Sequence, residues 1–167
     1  KNLNIPETPL YTKSHILYRL HKAKQALREK DFAILVEGQM DLLMAHQAGS
    51  ANTVASSGTA LTEHHLEIIR RFTNKVVMAF DPDNAGAKAA LRGAQMALGI
   101  GMEVKIAALP AGKDPADCVR ENPELWKESV ANAVHVIEFY IRRIQATTAD
   151  ELARTRLLRE QVIPLIA

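Results

Sequence analysis

Cysteine is nearly absent: Cys118 is the single one in 167 residues. No internal disulfide can form, and the Cys-x-x-Cys spacing of a structural zinc site is missing. No apolar run approaches the roughly 18 residues of a membrane-spanning helix, and the lysine-bearing start lacks the apolar stretch of a signal peptide. The chain therefore reads as soluble and cytoplasmic, with no membrane contact. Charge of one sign is also scarce. With 21 Lys and Arg against 19 Asp and Glu, the formal net charge is +2, too slight a surplus for a protein that holds nucleic acid by its phosphates alone. The basic residues that crowd the first thirty positions (Lys1, Lys13, Arg19, Lys22, Lys24, Arg28, Lys30) read as a solvated helix face. His46, His64 and His65 have no spacing that pairs them with Cys118 or with one another as metal ligands; they read as surface or packing residues. Repeats and low-complexity segments are absent too.

What is present is enough apolar residue, 47%, for one core and a small appendage. After a leading loop containing Pro6 and Pro9, Ile16, Leu20, Ala23 and Leu27 recur at helical spacing. Residues 32–36 form a short apolar run. A helix over about residues 40–47 follows, ended by Gly49. Residues 52–55 read as a second strand, residues 56–61 as a loop with an ordinary turn at Gly58, and Thr62 as the N-cap of a helix carrying Leu66 and Ile69. A third run at 76–80 feeds an Ala-rich helix over about 85–98, closed by Gly99, and 103–108 is a fourth strand. Strands and helices alternating in this way indicate right-handed crossovers around a parallel sheet. Beyond Pro110 only helical segments are expected, over about 123–131 and 134–145 and from near Asp150.

In an open parallel sheet, functional groups gather at the carboxyl ends of the strands. The first strand ends in Glu37-Gly38, the third in Asp81-Pro82-Asp83, and the fourth leads to Asp114 and Asp117. With neighbouring strands about 4.7–4.9 Å apart, these groups can share one or two cations. Like charges so placed raise one another's pKa unless a cation neutralises them. All-oxygen ligands suit Mg²⁺ or Mn²⁺, and a pair of such ions suits phosphoryl chemistry. Each residue also has a structural explanation. Asp83 or Asn84 can cap the helix near Ala85, Asp114 can cap a short helix through Val119, and Asp41 either supports the cluster or stabilises its own helix's first turn. Glu37 is harder to explain structurally, since it ends an apolar run with no evident partner. Gly86 would permit close approach of helix to sheet, and Lys88 reads as solvated.

Three ordered motifs, Leu35-Val36-Glu37-Gly38-Gln39-Met40-Asp41, Ala55-Ser56-Ser57-Gly58-Thr59-Ala60-Leu61-Thr62 and Phe80-Asp81-Pro82-Asp83-Asn84-Ala85-Gly86, resemble the TOPRIM region of bacterial, DnaG-type DNA primase. The opening residues 3–10 and the Gly112-Lys113-Asp114-Pro115 loop resemble that family as well. The resemblance implies a TOPRIM-like parallel sheet of about four strands with flanking helices, followed by part of a helical subdomain. It divides the chain into a loop and helix from a preceding subdomain (1–30), the TOPRIM domain (31–122) and a truncated helical extension (123–167). By the same resemblance Glu37, Asp81 and Asp83 would be catalytic. Together with Asp41 and Asp114 they would hold one or two Mg²⁺ or Mn²⁺ ions. The implied reaction is primer synthesis in DNA replication: a DNA-directed RNA polymerase, a nucleotidyltransferase of the primosome, joins ribonucleoside triphosphates on a single-stranded DNA template. The family's zinc module would precede Lys1 and its replicative-helicase contact would follow Ala167, so the fragment is expected to prime weakly or not at all. Pro82 stands where the family often has a small residue, and Ala116 where it often has an acid. Another TOPRIM enzyme, a topoisomerase or nuclease, would use the same carboxylates, but a topoisomerase needs a tyrosine nucleophile and Tyr11, Tyr18 and Tyr140 lack an activating context. In a non-catalytic binding module, the acids would only cap helices.

Overall fold

The computed structural model describes residues 12–81 and 83–166; the expected loop at residues 1–11, with the family-like stretch at 3–10 and Tyr11, lies outside the described residues, as does Pro82. The elements run α1 (Leu20–Lys30), β1 (Ala33–Val36), α2 (Gln39–Gln47), β2 (Thr53–Ala55), α3 (Glu63–Arg70), β3 (Lys75–Met78), α4 (Asn84–Gly99), β4 (Glu103–Ile106), α5 (Pro115–Glu121), α6 (Pro123–Ala131), β5 (Val134–His135), α7 (Val136–Thr147) and α8 (Glu151–Gln161). The expected alternation of strand and helix is present. β2, β1, β3 and β4 are parallel neighbours in that order, buried by helices on both faces.

Strand side chains alternate between those faces. Ala33 and Leu35 of β1, Val76 and Met78 of β3, and Val104 and Ile106 of β4 join a core with Ala23 and Leu27 of α1, Leu66 and Ile69 of α3, Ala94 of α4 and Tyr140 of α7. Ile34, Val36 and Val77 join the opposite core with Leu42 of α2, Cys118 of α5 and Trp126 of α6. Trp126 is fully buried and donates its indole N–H to Ser50 Oγ at 2.9 Å.

Three expectations need correction. The segment after Pro110 is not wholly helical: β5 pairs antiparallel with β4, through His135 with Lys105 and Val134 with Ile106. Two residues are too short to show a period in the sequence. α4 continues through Gly99; Gly101, at φ +78, makes the turn, with the amides of Gly101 and Met102 returning to Leu98 and Ala97. That is the double closure seen where a left-handed residue follows a helix, and Gly49 closes α2 in the same way. Finally, Ile16 lies outside α1 and is exposed, because Tyr18 is held in an antiparallel bridge to Ala55 and Arg19 then turns the chain. Among the described residues no helix is long and apolar enough to cross a membrane.

Arg19 makes that turn in the left-handed region, at φ 58 and ψ 14, a conformation that costs a non-glycine residue about 1–2 kcal/mol. Its Nε is buried with no hydrogen-bond partner among the described residues. Arg19→Gly is therefore expected to stabilise the chain by about 1 kcal/mol, read as a rise in Tm of about 2–4 °C for a domain of this size. An unchanged or lower Tm would show that the arginine compensates for the strain elsewhere.

Candidate active site

The order of the strands reverses between β1 and β3. From β1 the chain steps outward to β2, then passes back to β3 and on to β4. A crevice opens at such a reversal, beyond the carboxyl ends of the two flanking strands, and open α/β sheets bind ligands there. Glu37 directly follows β1, and Asp81 lies just beyond β3. The two carboxylates therefore flank the crevice.

Glu37 is half-buried, and its Oε1 is buried with no hydrogen-bond partner among the described residues. Burial, then the charges of Asp81, Asp83 and Asp41, push its pKa above the ordinary carboxylate value. Asp81 is raised likewise, first by burial, then by the charges of Asp41, Asp114, Asp83 and Asp117. The charges acting on these two carboxylates are thus those of Asp41, Asp83, Asp114 and Asp117, with Asp81 acting on Glu37 as well. Asp83 and Asp114 do cap helices: Oδ1 of Asp83 accepts from the Gly86 amide at 2.6 Å, and Oδ1 of Asp114 from the Asp117 amide at 2.6 Å. Each cap uses one oxygen, so capping and ligand binding are compatible. Asp41 is 8% exposed, and its two oxygens accept from the Gly38 and Ala116 amides at 3.1 and 3.2 Å. The start of α4 lies so close to the end of β3 that a Cβ on Gly86 would stand 2.2 Å from the Asp81 carbonyl oxygen.

Asp81, Asp83, Asp114 and Asp117 line a cavity of about 360 Å³ together with Gly112 and Lys113. Asp117 was read from the sequence only as one of the strand-end acids, outside the ligand set that the resemblance implied, and Lys113 had no assigned role. The signal for Asp117 was Pro115 at the first position of α5, which sets Asp114 at the cap and Asp117 one turn inside. Asp117 pairs with Arg120, and Lys113 with Glu121. The histidines are packing and surface groups: His65 is fully buried, its Nδ1 accepting from the Thr62 amide, and Thr62 caps α3. Tyr140 is buried and donates its hydroxyl to Ala87 O at 3.1 Å, with burial raising its pKa, so it is no ready nucleophile.

Among the described residues no three His, Cys, Asp or Glu side chains stand grouped as a ready-made metal cage. The donor chemistry nevertheless fits a hard divalent cation. Mg²⁺ keeps several waters and takes one or two carboxylates, and here one Glu37 oxygen has no partner among the described residues.

The chain belongs to the Toprim-like family, whose model matches residues 34–119, just over half of it. Its TOPRIM segment is of the bacterial DNA primase type, as the three motifs implied. It is 43% identical over 148 residues to the DNA primase of Campylobacter jejuni, an overlap covering 88% of this chain and 24% of that relative. The RNA polymerase domain of Mycobacterium tuberculosis primase DnaG superposes with a TM-score of 0.81 at 32% identity, over 95% of this chain and 53% of that one. A DnaG primase catalytic domain bound to single-stranded DNA superposes at 0.77 with 30% identity, again over 95% and 53%. The chain spans about a quarter of the length of the curated relatives it matches.

The raised carboxylates set the sign of the stability profile. The folded chain binds their protons more tightly than the unfolded chain does, so without metal the stability falls as pH rises through the raised values and is recovered towards pH 4. Glu37→Gln should flatten this slope and raise the metal-free Tm at pH 7. Mg²⁺ at about a hundred times its Kd should add about 2.7 kcal/mol to the wild type at pH 7. A metal-free stability that rises steadily from pH 5 to 8, with no response to Glu37→Gln, would contradict the charge-crowding account.

Proposed function

We propose that this chain forms the catalytic centre of a bacterial-type primase, a DNA-directed RNA polymerase that joins ribonucleoside triphosphates on a single-stranded DNA template to make replication primers. The observation that carries the reading is the placing of Glu37, whose buried oxygen has no partner among the described residues, and Asp81 on either side of the sheet's switch point. Glu37, Asp81 and Asp83 would hold one or two Mg²⁺ or Mn²⁺ ions, with Asp114 at the rim. When bound, the cation offsets the charge that develops on the attacking 3′-hydroxyl and the departing pyrophosphate.

The chain's own residues contribute position. β1 and β3 fix the backbones of Glu37 and Asp81, and the caps of α4 and α5 fix Asp83 and Asp114. The apolar ends of the strands keep the surroundings of Glu37 low in dielectric, which strengthens its attraction for a cation. In this reading residues 31–122 carry the catalytic acids, and α1, α6, α7 and β5, which complete the two cores and the sheet, support them. The replicative helicase is met through other parts of such a primase, and the role in replication places the protein in the cytoplasm.

Calorimetric titration of Mn²⁺ into the wild-type chain and into Glu37→Ala and Asp81→Ala, each checked for folding by circular dichroism, tests the reading. Either substitution should weaken binding by at least about tenfold, or about 1.4 kcal/mol. A wild type that binds no Mn²⁺, or folded variants that bind as the wild type does, would overturn it.

A further inference from the structure

Asp41 stands apart from the other acids. Asp81, Asp83, Asp114 and Asp117 line the 360 Å³ cavity; Asp41 and Glu37 do not, but Glu37 keeps a buried oxygen without a partner among the described residues, whereas both Asp41 oxygens are used. Asp41 is 8% exposed, against half-exposed or exposed settings for the others. Its two oxygens are directed at backbone amides of two separate elements. Oδ2 accepts from Gly38, the N-cap of α2 and the residue after Glu37; Oδ1 accepts from Ala116, in the first turn of α5. The second bond spans 75 residues of sequence. It ties the turn that carries Glu37 to the helix start that carries Asp114 and Asp117.

We infer that Asp41 is a positioning residue rather than a cation ligand: its carboxylate bridges the amides of Gly38 and Ala116 and so holds the Glu37 turn in register with the Asp114 loop. The assignment rests on the metal-site reading above. It also explains why residue 38 is glycine, although its backbone, at φ −94 and ψ 156, suits any residue. A Cβ there would lie 2.5 Å from Asp41 Oδ2, so an alanine would push the carboxylate off the Gly38 amide. The side chain of Ala116 is also free to be small, since only its backbone N–H is used. The acid that the resemblance led one to expect at residue 116 is not needed for the bridge.

An asparagine keeps one acceptor oxygen for one of the two amides and turns its NH₂ towards the other, so it preserves half of a bridge made of charge-assisted bonds, whereas a ligand to a hard cation cannot be replaced without losing its charge. The test is Mn²⁺ calorimetry on the intact chain and on Asp41→Asn, Asp41→Ala and Gly38→Ala, with thermal melts alongside. If Asp41 positions the site, Asp41→Asn stays within about threefold of wild-type affinity. Asp41→Ala and Gly38→Ala each lose about tenfold (about 1.4 kcal/mol) while still melting cooperatively, although Gly38→Ala keeps every carboxylate. Equal tenfold losses in Asp41→Asn and Asp41→Ala, with Gly38→Ala unaffected, would make Asp41 a ligand and overturn the inference. Wild-type affinity in all three variants would make the bridge purely structural and also overturn it. A wild type that binds no Mn²⁺ removes the metal-site reading itself and the inference with it; in the other outcomes that reading stands.

Discussion

Acidic side chains cannot be brought to one edge of a sheet without cost, because each ionised carboxylate disfavours the ionisation of the next. In this chain Glu37 and Asp81 are both raised by burial and then by several neighbouring acids. Much of the local architecture at the carboxyl edge bears on that repulsion. Helix starts supply N–H groups to the acids that cap them, Asp83 at α4 and Asp114 at α5, where the helix dipole also favours negative charge. Asp41 receives two amides. Glu37 alone is left with a buried oxygen that the described protein groups do not satisfy, and a buried unpaired acceptor is where an external cation gains most.

The sheet order decides which acids meet. Because β1 lies between β2 and β3, the ends of β1 and β3 are neighbours even though α2, β2 and α3 intervene in sequence. The close packing of α4 on the end of β3, which only a glycine at residue 86 allows, keeps the loop carrying Asp81 and Asp83 near that edge. The two cores, one on each face of the sheet, hold β1 and β3 in place, so the positions of the carboxylates follow from the packing of the whole domain.

Much of this was legible in the sequence because it rests on local signals. The short runs at 32–36 and 76–80, the caps at Thr62, Asp83 and Asp114, and the glycine after α2 each declare an element over a few residues. The same local view missed β5, whose two residues owe their extended form to pairing with β4. It also took Gly99 as the glycine that closes α4, when the left-handed position falls at Gly101. The acids were found for a similar reason: the carboxyl-end rule needs only the ends of strands. What the sequence left open was the partition of roles among them. Nothing local distinguishes Asp41, bonded to Ala116 across 75 residues, from Asp83, which closes a helix three residues away. Asp117 likewise enters the cavity only once the fold of the 110–114 loop and the start of α5 is known.

Crowding at the switch point raises the carboxylates, and in the proposed function a divalent cation relieves it. The most direct measurement is a ¹³C NMR titration of the side-chain carboxyl carbons of Glu37 and Asp81, with and without saturating Mg²⁺. The account predicts that both titrate above the ordinary carboxylate range near 4 without metal, and that Mg²⁺ moves both downward while carboxylates remote from the edge stay put. Ordinary values without metal, or raised values that Mg²⁺ leaves unchanged, would contradict it.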